Sequence, residues 1–325
     1  MKAIVLAQPG GIENLEIQDI PIPEINDHEV LVQVKAISIN PVDVIVRQNA
    51  AFLSAVLQLK AGEHPVILGW DISGVVAATG KAVTRFKNGD AVFGMVNFEG
   101  HGKAYAEYVA APEGHLAHKP ANISHEEAAA ATLAALTAWQ SLVSYAGVKA
   151  GDKVLIHAAA GGVGHYAIQL AKNFGAFVIG TSSAANKDFV LGLGADQHID
   201  YRDRPFEEVV KDADIVVDSI GELTDGTGQL DRSLDTLKEG GTLISLSVLL
   251  DRKLPLAKKA KAKKVSMFRL GVASSAADME EIAALLRQGF LHSHVSATYA
   301  LHEMAAAHQQ MESNRTRGKI IVTIP

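Results

Sequence analysis

The sequence predicts a protein of two domains, in which an α/β domain with a doubly wound parallel sheet is inserted into a β-rich domain. The chain has 325 residues, which suits two domains of about 100–200 residues each. Short strand-like runs fill residues 1–122, and strand-like and helix-like segments alternate from Ser124 to about Gln288. A last strand-like run, 318–324, needs a partner sheet. Pairing it with the first region makes that domain discontinuous.

The composition favours small-molecule partners. The chain carries 36 acidic and 30 basic side chains, a net charge of -6, and 48% of its residues are hydrophobic. A binder of nucleic acid would need a basic excess, so we expect no nucleic-acid partner. The chain has no cysteine, which excludes disulfides, thiolate nucleophiles and cysteine-held metals.

No targeting or membrane segment is expected. The opening run MKAIVLA is short and meets the turn at Pro9 and Gly10, which indicates a first strand rather than a signal peptide. No apolar run approaches the roughly 20 residues of a bilayer span. We therefore expect a cytoplasmic protein without a membrane partner.

The β-rich region has runs such as Val30–Lys35 and Gly74–Ala78 between Pro, Gly and Asn punctuation, which is typical of a barrel or sandwich. The pattern changes at Ser124, whose spacing to Glu127 predicts a capping box. Near-continuous apolar strands then alternate with amphipathic helices, as in a parallel sheet covered on both faces. The predicted boundaries place 1–123 and 289–325 in the first domain and 124–288 in the second.

One segment of the second domain has the order of a dinucleotide site. A strand at 154–156 runs into a glycine-rich turn, and a helix follows from His165. Gly161 lets the backbone approach a pyrophosphate, and Gly164 lets the helix pack closely on the strand. Ala159 stands where the usual fingerprint has its first glycine, and a tight turn without a ligand is the alternative. The candidate phosphate-binding residues are Ala160, Gly161, Gly162, Val163 and Gly164.

The next strand favours NADPH over NADH. An acidic residue at its end would hold the ribose 2′-OH of NADH, whereas a 2′-phosphate needs hydroxyl donors and a cation. The strand ends in hydroxyl residues, with no carboxylate before Asp188. Ser183 could also cap the next helix, and Lys187 could be an ordinary solvated lysine. The candidates for the 2′-phosphate side are Thr181, Ser182, Ser183, Lys187 and Tyr201.

The whole chain resembles the medium-chain dehydrogenase/reductase superfamily, in its zinc-independent quinone oxidoreductase-like branch. The matching stretches are INPVDVIVR at 39–47, PVILGWDISG at 65–74, GDAVFG at 89–94, AYAEYV at 104–109, TAWQ at 137–140, the turn at 158–164 and RGKI at 317–320. The resemblance implies a GroES-like β-barrel domain and a Rossmann domain, with the cofactor in the cleft between them. It also implies that Thr137 lies near the nicotinamide, and Ser245 is a further candidate for the cofactor site.

The departures from the family concern zinc. Zinc-dependent members use a Cys near the position of Asn40 and a His-Glu pair after a glycine, where this chain has Gly69, Trp70 and Asp71. We therefore expect no metal. The pairs His115 with His118 and His292 with His294 are interpreted as solvated histidines.

Without a metal, conjugated acceptors are favoured, because charge from hydride addition can spread into an enolate or hydroquinone anion. Asn40 is the candidate donor to the acceptor oxygen, and Asp43 is expected to fix Asn40. The alternative is that both residues cap the turn at Pro41. Phe52 and Trp70 are candidate pocket walls, although each could belong to the core. No proton donor is identified, and solvent can serve.

Two functions remain open: an NADPH-dependent reductase of quinones or other α,β-unsaturated carbonyl compounds, and a non-catalytic NADPH-binding protein of the same superfamily. The first is favoured because pocket-lining motifs accompany the cofactor motif. A homodimer is expected by resemblance, through an edge strand at Val265–Leu270. The basic segment from Arg252 to Lys264 is interpreted as a solvated face.

Overall fold

The structure, a computed structural model, describes residues 1–60, 65–220, 228–246 and 254–325. These residues form two compact units. Unit 1 comprises Met1–Leu136 and Val272–Pro325, and unit 2 comprises Thr137–Gly271. No helix within the described ranges is long and apolar enough to cross a membrane.

The strands and helices have the following bounds. The strands are β1 (Lys2–Leu6), β2 (Leu15–Asp19), β3 (Glu29–Ile39), β4 (Val66–Ile67), β5 (Asp71–Thr79), β6 (Ala91–Met95), β7 (Tyr108–Pro112), β8 (Leu116–His118), β9 (Lys153–Ile156), β10 (Phe177–Ser182), β11 (Gln197–Asp200), β12 (Ala213–Asp218), β13 (Leu237–Ser245), β14 (Ser266–Arg269), β15 (Val295–Ala300) and β16 (Lys319–Thr323). The helices are α1 (Pro41–Gln48), α2 (Ala50–Leu57), α3 (His125–Ala130), α4 (Leu133–Trp139), α5 (Gly164–Asn173), α6 (Lys187–Gly192), α7 (Phe206–Val209), α8 (Gln229–Thr236), α9 (Leu254–Lys263), α10 (Ala276–Gln288) and α11 (Met304–Glu312). A π-helical turn, Gln140–Tyr145, continues α4.

Unit 1 contains two sheets. The small one has the strand order β2-β1-β4, and the larger one has the order β15-β16-β3-β5-β6-β8, with β7 also paired to β3. Along most of β3 every second residue is buried, the period of a strand with one face on the core. The late strand β16 pairs antiparallel with β3, and Ile320 lies opposite Ile39. The chain therefore leaves unit 1, forms unit 2 and returns.

Unit 2 contains a parallel sheet with the strand order β11-β10-β9-β12-β13-β14. In chain order within this unit the strands run 3-2-1-4-5-6, the order of a doubly wound dinucleotide-binding fold. The central strands β9 and β12 are almost entirely buried, as expected when helices cover both faces. The predicted parallel sheet is confirmed. Ligands of such folds bind beyond the carboxyl ends of the strands, where the strand order reverses between β9 and β12.

The units divide the chain after residues 136 and 271, where the sequence placed the boundaries after 123 and 288. Helix α3 packs on β3, β5 and β16, and α10 packs on β8, so both helices belong to unit 1. Helical periodicity shows which face of a helix is apolar but not which sheet that face covers. The predicted capping box is present: Ser124 Oγ accepts from the Glu127 amide at 3.1 Å, and the Glu127 carboxylate accepts from the Ser124 amide at 2.8 Å.

The predicted edge strand and most of the predicted basic segment lie in the described residues of unit 2. Strand β14 lies at one edge of the parallel sheet, as the run Val265–Leu270 predicted. Arg252 and Lys253 lie outside the described residues. Farther along, Lys259 bonds to Asp231 and Asp235 of α8, so part of the basic segment is paired across two helices.

Candidate active site

In the glycine-rich turn between β9 and α5, Gly164 lies close to the backbone of Ala158 and Ala159. A Cβ atom at Gly164 would lie 2.4 Å from the Ala158 carbonyl oxygen and 2.7 Å from the Ala159 Cα. At Gly161 the nearest atom, also the Ala158 oxygen, would lie 3.2 Å away. Ala158 itself has a φ of 48°, a conformation unusual for alanine. The turn therefore requires glycine most strongly at 164, where helix and strand meet.

The start of α5 is suited to an anion. Its N-cap residue is Val163, and no side chain caps this end within the part of the chain that the structure describes. The start of a helix carries a partial positive charge, and here the amides of His165 and Tyr166 already donate to the Gly161 and Val163 carbonyls at 3.1 and 3.2 Å. The close turn at Gly164 and this positive helix end fit the pyrophosphate of a dinucleotide. Ala160, Gly161, Gly162 and Val163 form the turn in front of this helix end.

At the end of β10 the predicted hydroxyl residues have different partners. Thr181 is buried, and its Oγ1 lies 3.0 Å from Nδ1 of His157. Ser182 Oγ lies 2.8 Å from Nε2 of His198 on β11. Ser183 and the exposed Lys187 follow, and Ser183 Oγ accepts from the side-chain Nδ2 of Asn186 at 3.4 Å. Sequence reasoning did not include His198, because only strand pairing brings it to Ser182.

The turn after β11 adds a second cation. Tyr201 is 52% exposed, and the Arg202 guanidinium lies over its ring at 5.4 Å from the centroid. Asp200 stands opposite Ser182 in the sheet, and its oxygens accept from the amides of Ala184 and Arg202, each at 3.0 Å. That carboxylate thus holds the two turns around the end of β10. Lys187 and Arg202 supply positive charge beside them.

His157 is a structural neighbour of this site. It is buried, and its two ring nitrogens contact Thr181 Oγ1 at 3.0 Å and Ser233 Oγ at 3.1 Å. Burial, and then the positive charge of Arg232, lower the pKa of His157 to about 3. The ring is therefore neutral at physiological pH, and it fixes the Thr181 side chain toward the interior. Two further candidates, Thr137 and Ser245, are also buried in unit 2.

In unit 1, Asn40 is the centre of a buried polar cluster, defined here as Asn40, Asp43, Asp71 and Lys319. Asn40 Nδ2 donates to Asp71 Oδ2 at 2.8 Å, and the Lys319 ammonium donates to Asn40 Oδ1. Lys319 also donates to the Ile39 carbonyl at 3.2 Å. All four side chains are at most 2% exposed. Because an ammonium group can only donate, it fixes the orientation of the Asn40 amide.

Asp43 closes the first turn of α1. Its Oδ2 accepts from the Asn40 backbone amide at 2.7 Å, and Asp71 Oδ1 accepts from the Leu133 amide at 3.0 Å. Burial raises the pKa of Asp43 to about 7, although the Asn40 amide and the Lys319 ammonium oppose the rise. Burial also raises the pKa of Asp71 and lowers that of Lys319. The cluster thus keeps one cation among two carboxyl groups.

A second chain of contacts leads from Tyr105, beside Asp43, toward the surface. The Tyr105 hydroxyl lies 3.0 Å from Nε2 of His308, and Arg47 Nε donates to Nδ1 of His308 at 3.3 Å. Arg47 also pairs with Glu312, which is partly exposed. Since arginine always donates, neutral His308 carries its hydrogen on Nε2 and donates to Tyr105. The Tyr105 hydrogen is then free to point toward Asp43, whose pKa it lowers.

This geometry bears on the candidate catalytic residues. One hydrogen of the Asn40 amide goes to Asp71, and Nδ2 lies 3.5 Å from the Ser38 carbonyl. The bond from the Asn40 amide to Asp43 agrees both with fixing of Asn40 and with capping of the turn at Pro41. Trp70 is buried, donates from Nε1 to the Gly100 carbonyl at 2.8 Å and meets Phe98 edge to face, so it lies in the core of unit 1. Phe52, on α2, is half-buried.

The residues at the family's zinc position do not fit a metal ion. The Asn40 oxygen receives an ammonium group, and Trp70 offers an N–H donor instead of a lone pair. Within the described ranges, no three His, Asp or Glu side chains are grouped as metal ligands. His115 Nδ1 instead accepts from the Asn97 amide at 3.2 Å, and His118 packs against Phe86.

Comparison with known proteins gives two matching family models. The model of the alcohol dehydrogenase GroES-like domain matches residues 26–121, and the model described as zinc-binding dehydrogenase matches residues 193–322. Together they cover parts of both units.

Relatives and solved structures agree with these matches. A chloroplastic quinone-oxidoreductase homolog of Spinacia oleracea is 40% identical over 198 residues, 59% of this chain and 58% of that protein. The chloroplastic NADPH-dependent alkenal/one oxidoreductase of Arabidopsis thaliana is 33% identical over 334 residues, 99% of this chain and 79% of that protein. The quinone oxidoreductase structure from Coxiella burnetii has a TM-score of 0.90 and 36% identity, covering 100% of this chain and 99% of that one. The chain is an oxidoreductase and belongs to the medium-chain dehydrogenase/reductase superfamily, in its quinone oxidoreductase-like branch.

Proposed function

We propose that the protein is an NADPH-dependent reductase that transfers hydride to quinones or other α,β-unsaturated carbonyl compounds without a metal. The end of β10 carries the proposal, because it offers Ser182, Ser183 and Lys187 where an NADH site would place a carboxylate. The names of the relatives support the acceptor class: one is an alkenal/one oxidoreductase that depends on NADPH, and others are quinone oxidoreductases.

The cofactor would be held at two places in unit 2. The turn at Gly161 and Gly164, with the positive end of α5 behind it, would bind the pyrophosphate. Lys187, Ser183 and Tyr201 would bind the 2′-phosphate, with Arg202 as an additional cation. Thr181 acts less directly, because its hydroxyl is engaged with His157. Thr137 and Ser245 stay proposals for the nicotinamide side.

NADPH supplies a hydride when bound, so the protein must orient the acceptor and exclude water. Conjugated acceptors suit a site whose donor set does not fit a metal, because their own π-system spreads the charge. We propose that Asn40 and Asp43 shape the acceptor side, with Phe52 as a pocket wall. The Asn40 amide contacts Asp71 and Lys319, which supports a positioning role rather than donation to the acceptor. Solvent is the proposed proton source.

The activity is tested by mixing the full chain with NADPH and a panel of quinones and enones, and by following the loss of NADPH absorbance. We expect oxidation of NADPH with at least one acceptor class, and the same rate after treatment with a metal chelator. Saturated ketones serve as matched controls and should react far more slowly. Tight NADPH binding without oxidation by any acceptor would contradict the reductase proposal.

Lys187→Ala should weaken NADPH binding about 10- to 100-fold, because a charged contact to phosphate contributes about 1.5–3 kcal/mol. NADH has no 2′-phosphate, so its dissociation constant should not change. Lys258→Ala is the control, since Lys258 is also an exposed helical lysine of unit 2. Calorimetric titration measures all three proteins. Equal losses for NADPH and NADH would refute the assignment of Lys187.

We also propose a homodimer formed through β14. Among the described strands β14 ends the order of the parallel sheet, and Phe268 on it is 41% exposed beside Tyr145, at 6.4 Å between ring centroids. Light scattering of the full chain should give twice the monomer mass, and Phe268→Glu should shift it toward monomer. Phe177→Glu, at a similarly exposed phenylalanine, should leave the mass unchanged. A monomeric parent protein would rule the dimer out.

A cytoplasmic location stays a prediction. The two curated relatives described above are both named as chloroplastic proteins.

A further inference from the structure

His198 lies directly beneath the hydroxyl segment at the end of β10. It stands on β11, opposite Gly180, and its Nε2 is 2.8 Å from Ser182 Oγ. Ser182 Oγ also lies 3.2 Å from the Ser183 carbonyl oxygen, a second acceptor for its hydrogen. His198 is half-buried, whereas Ser182 is buried. The imidazole is therefore a titratable ring in hydrogen-bond contact with the Ser182 hydroxyl.

The charged groups around His198 come from two elements. Lys187 on α6 and Asp200 on β11 both act on the imidazole, and β10 presents the Ser182 hydroxyl and the Ser183 carbonyl. Asp188 also belongs to α6 and is exposed, and Arg202 and Tyr201 follow β11. The oxygens of Asp200 already accept two backbone amides, which fixes this carboxylate in place.

The protonation state of His198 decides what Ser182 can donate. If neutral His198 has a lone pair on Nε2, Ser182 gives its only hydrogen to the ring. If His198 is protonated, both ring nitrogens are donors, so Ser182 Oγ must accept from Nε2, and its own hydrogen turns to the Ser183 carbonyl or to a bound phosphate. Protonation also adds a positive charge next to Lys187, at the place proposed for the 2′-phosphate.

We propose that His198 is a positioning residue that makes the preference for NADPH over NADH depend on pH, with the protonated imidazole favouring the 2′-phosphate. The inference rests on the proposed NADPH site. It concerns binding, so it can be tested without turnover.

The direction of the pH dependence follows from linkage. Burial lowers the pKa of His198, Asp200 opposes this and Lys187 lowers it further, so the ring of the free protein is neutral at pH 7. A bound phosphate raises that pKa, so NADPH binding takes up a proton between the two values. Affinity for NADPH should therefore fall as the pH rises through the pKa of the complex. Each unit of difference between the two pKa values corresponds to a tenfold change in affinity.

The 2′-phosphate itself titrates with a pKa of about 6 and acts in the opposite sense, since its dianion binds more strongly. This contribution is common to the parent protein and to variants at His198. His198→Gln keeps a side chain that can bond to Ser182 but cannot titrate. His302→Gln, an exposed histidine of unit 1, controls for the loss of a histidine elsewhere.

The experiment is calorimetric titration of the full chain with NADPH and NADH across about pH 5.5–8, in two buffers of different ionisation enthalpy. We expect the parent protein and His302→Gln to bind NADPH about tenfold more tightly than His198→Gln at the acid end, with convergence at the alkaline end. NADPH binding should take up a larger fraction of a proton in the parent protein than in His198→Gln. NADH binding should be equal in all three, which also shows that the variants are folded.

Two results would overturn the inference: the first would reject only the role of His198, and the second would also reject the NADPH site. If the NADPH affinities of the parent and His198→Gln change in parallel with pH, with equal proton uptake, His198 has no such role, while a selective loss in Lys187→Ala still supports the NADPH site. If NADPH and NADH bind equally at every pH and Lys187→Ala changes neither, the proposed cofactor choice fails together with the inference.

Discussion

Gly164→Ala is expected to destabilise unit 2 by about 3 kcal/mol or more and to abolish tight cofactor binding. The new methyl group would meet backbone atoms, at 2.4 Å from the Ala158 oxygen and 2.7 Å from the Ala159 Cα, and these cannot rotate away. Overpacking against side chains alone costs about 1–3 kcal/mol, so a collision with backbone belongs at or above that range. The start of α5 must then move off β9, and its amides lose their position.

Two other glycines of unit 2 provide controls for this variant. At Gly161 a Cβ atom would lie 3.2 Å from its nearest neighbour, so Gly161→Ala should destabilise by about 1 kcal/mol or less. Gly192, in α6, has no neighbour within 4 Å, and Gly192→Ala should stabilise by about 0.4–1 kcal/mol. Urea unfolding gives the three values, and amide hydrogen exchange assigns them to unit 2. A Gly164→Ala protein as stable as Gly161→Ala would contradict the packing described here.

Lys319→Met is expected to destabilise unit 1 by about 3–5 kcal/mol, the usual effect of leaving buried carboxyl groups without their counter-charge. The ammonium of Lys319 donates to Asn40, and its positive charge acts on the fully buried Asp71 and Asp43. Without it, Asp71 and Asp43 must either stay charged without a cation or take up protons. Urea unfolding near pH 7 should show the loss.

The pH dependence of unfolding and a second substitution test whether the lost charge of Lys319 causes the lower stability of Lys319→Met. The carboxyl groups have pKa values raised in the folded state, so they bind more protons folded than unfolded, and the stability they contribute is lost as the pH rises. The deficit of Lys319→Met should therefore shrink toward about pH 4. Adding Asp71→Asn should recover part of it near pH 7. Lys2→Met, which removes an exposed pair with Asp19, should cost less than about 1 kcal/mol. A deficit of equal size at every pH would argue against the charge explanation.

Much of the fold follows from local patterns in the sequence. The alternation of apolar strands with helices predicts the parallel sheet, and the strand-turn-helix around Gly164 predicts the turn that the structure shows. The capping box of Ser124 and Glu127 could also be predicted, because it depends on residues within a short stretch, whereas the edge position of β14 depends on the order of the whole sheet. Periodicity does not show which sheet a helix covers, and the helices α3 and α10 therefore shift the boundaries between the units.

The candidate site was harder to predict because its contacts join distant parts of the chain. Asn40 was a candidate donor to substrate, yet its amide bonds to Asp71 and receives Lys319, 279 residues away. His198 reaches Ser182 only through the pairing of β11 with β10. Such partners depend on the register between strands, and a single sequence does not contain that register. The position of Trp70 could not be predicted either, because an aromatic residue after a glycine suits a pocket wall and a core equally well. The structure places it in the core of unit 1.

The pairing of β16 with β3 has a consequence for biosynthesis. Every strand of unit 2 is made before β16, so that unit can fold on the ribosome while unit 1 is still missing an inner strand of its larger sheet. Until residue 319 emerges, the nascent chain carries Asp71 and Asp43 without the lysine that neutralises them. The carboxyl groups must then stay hydrated or protonated, which delays closure of the interior around them. Completion of unit 1 is therefore a late event, and it depends on contacts across nearly the full length of the chain.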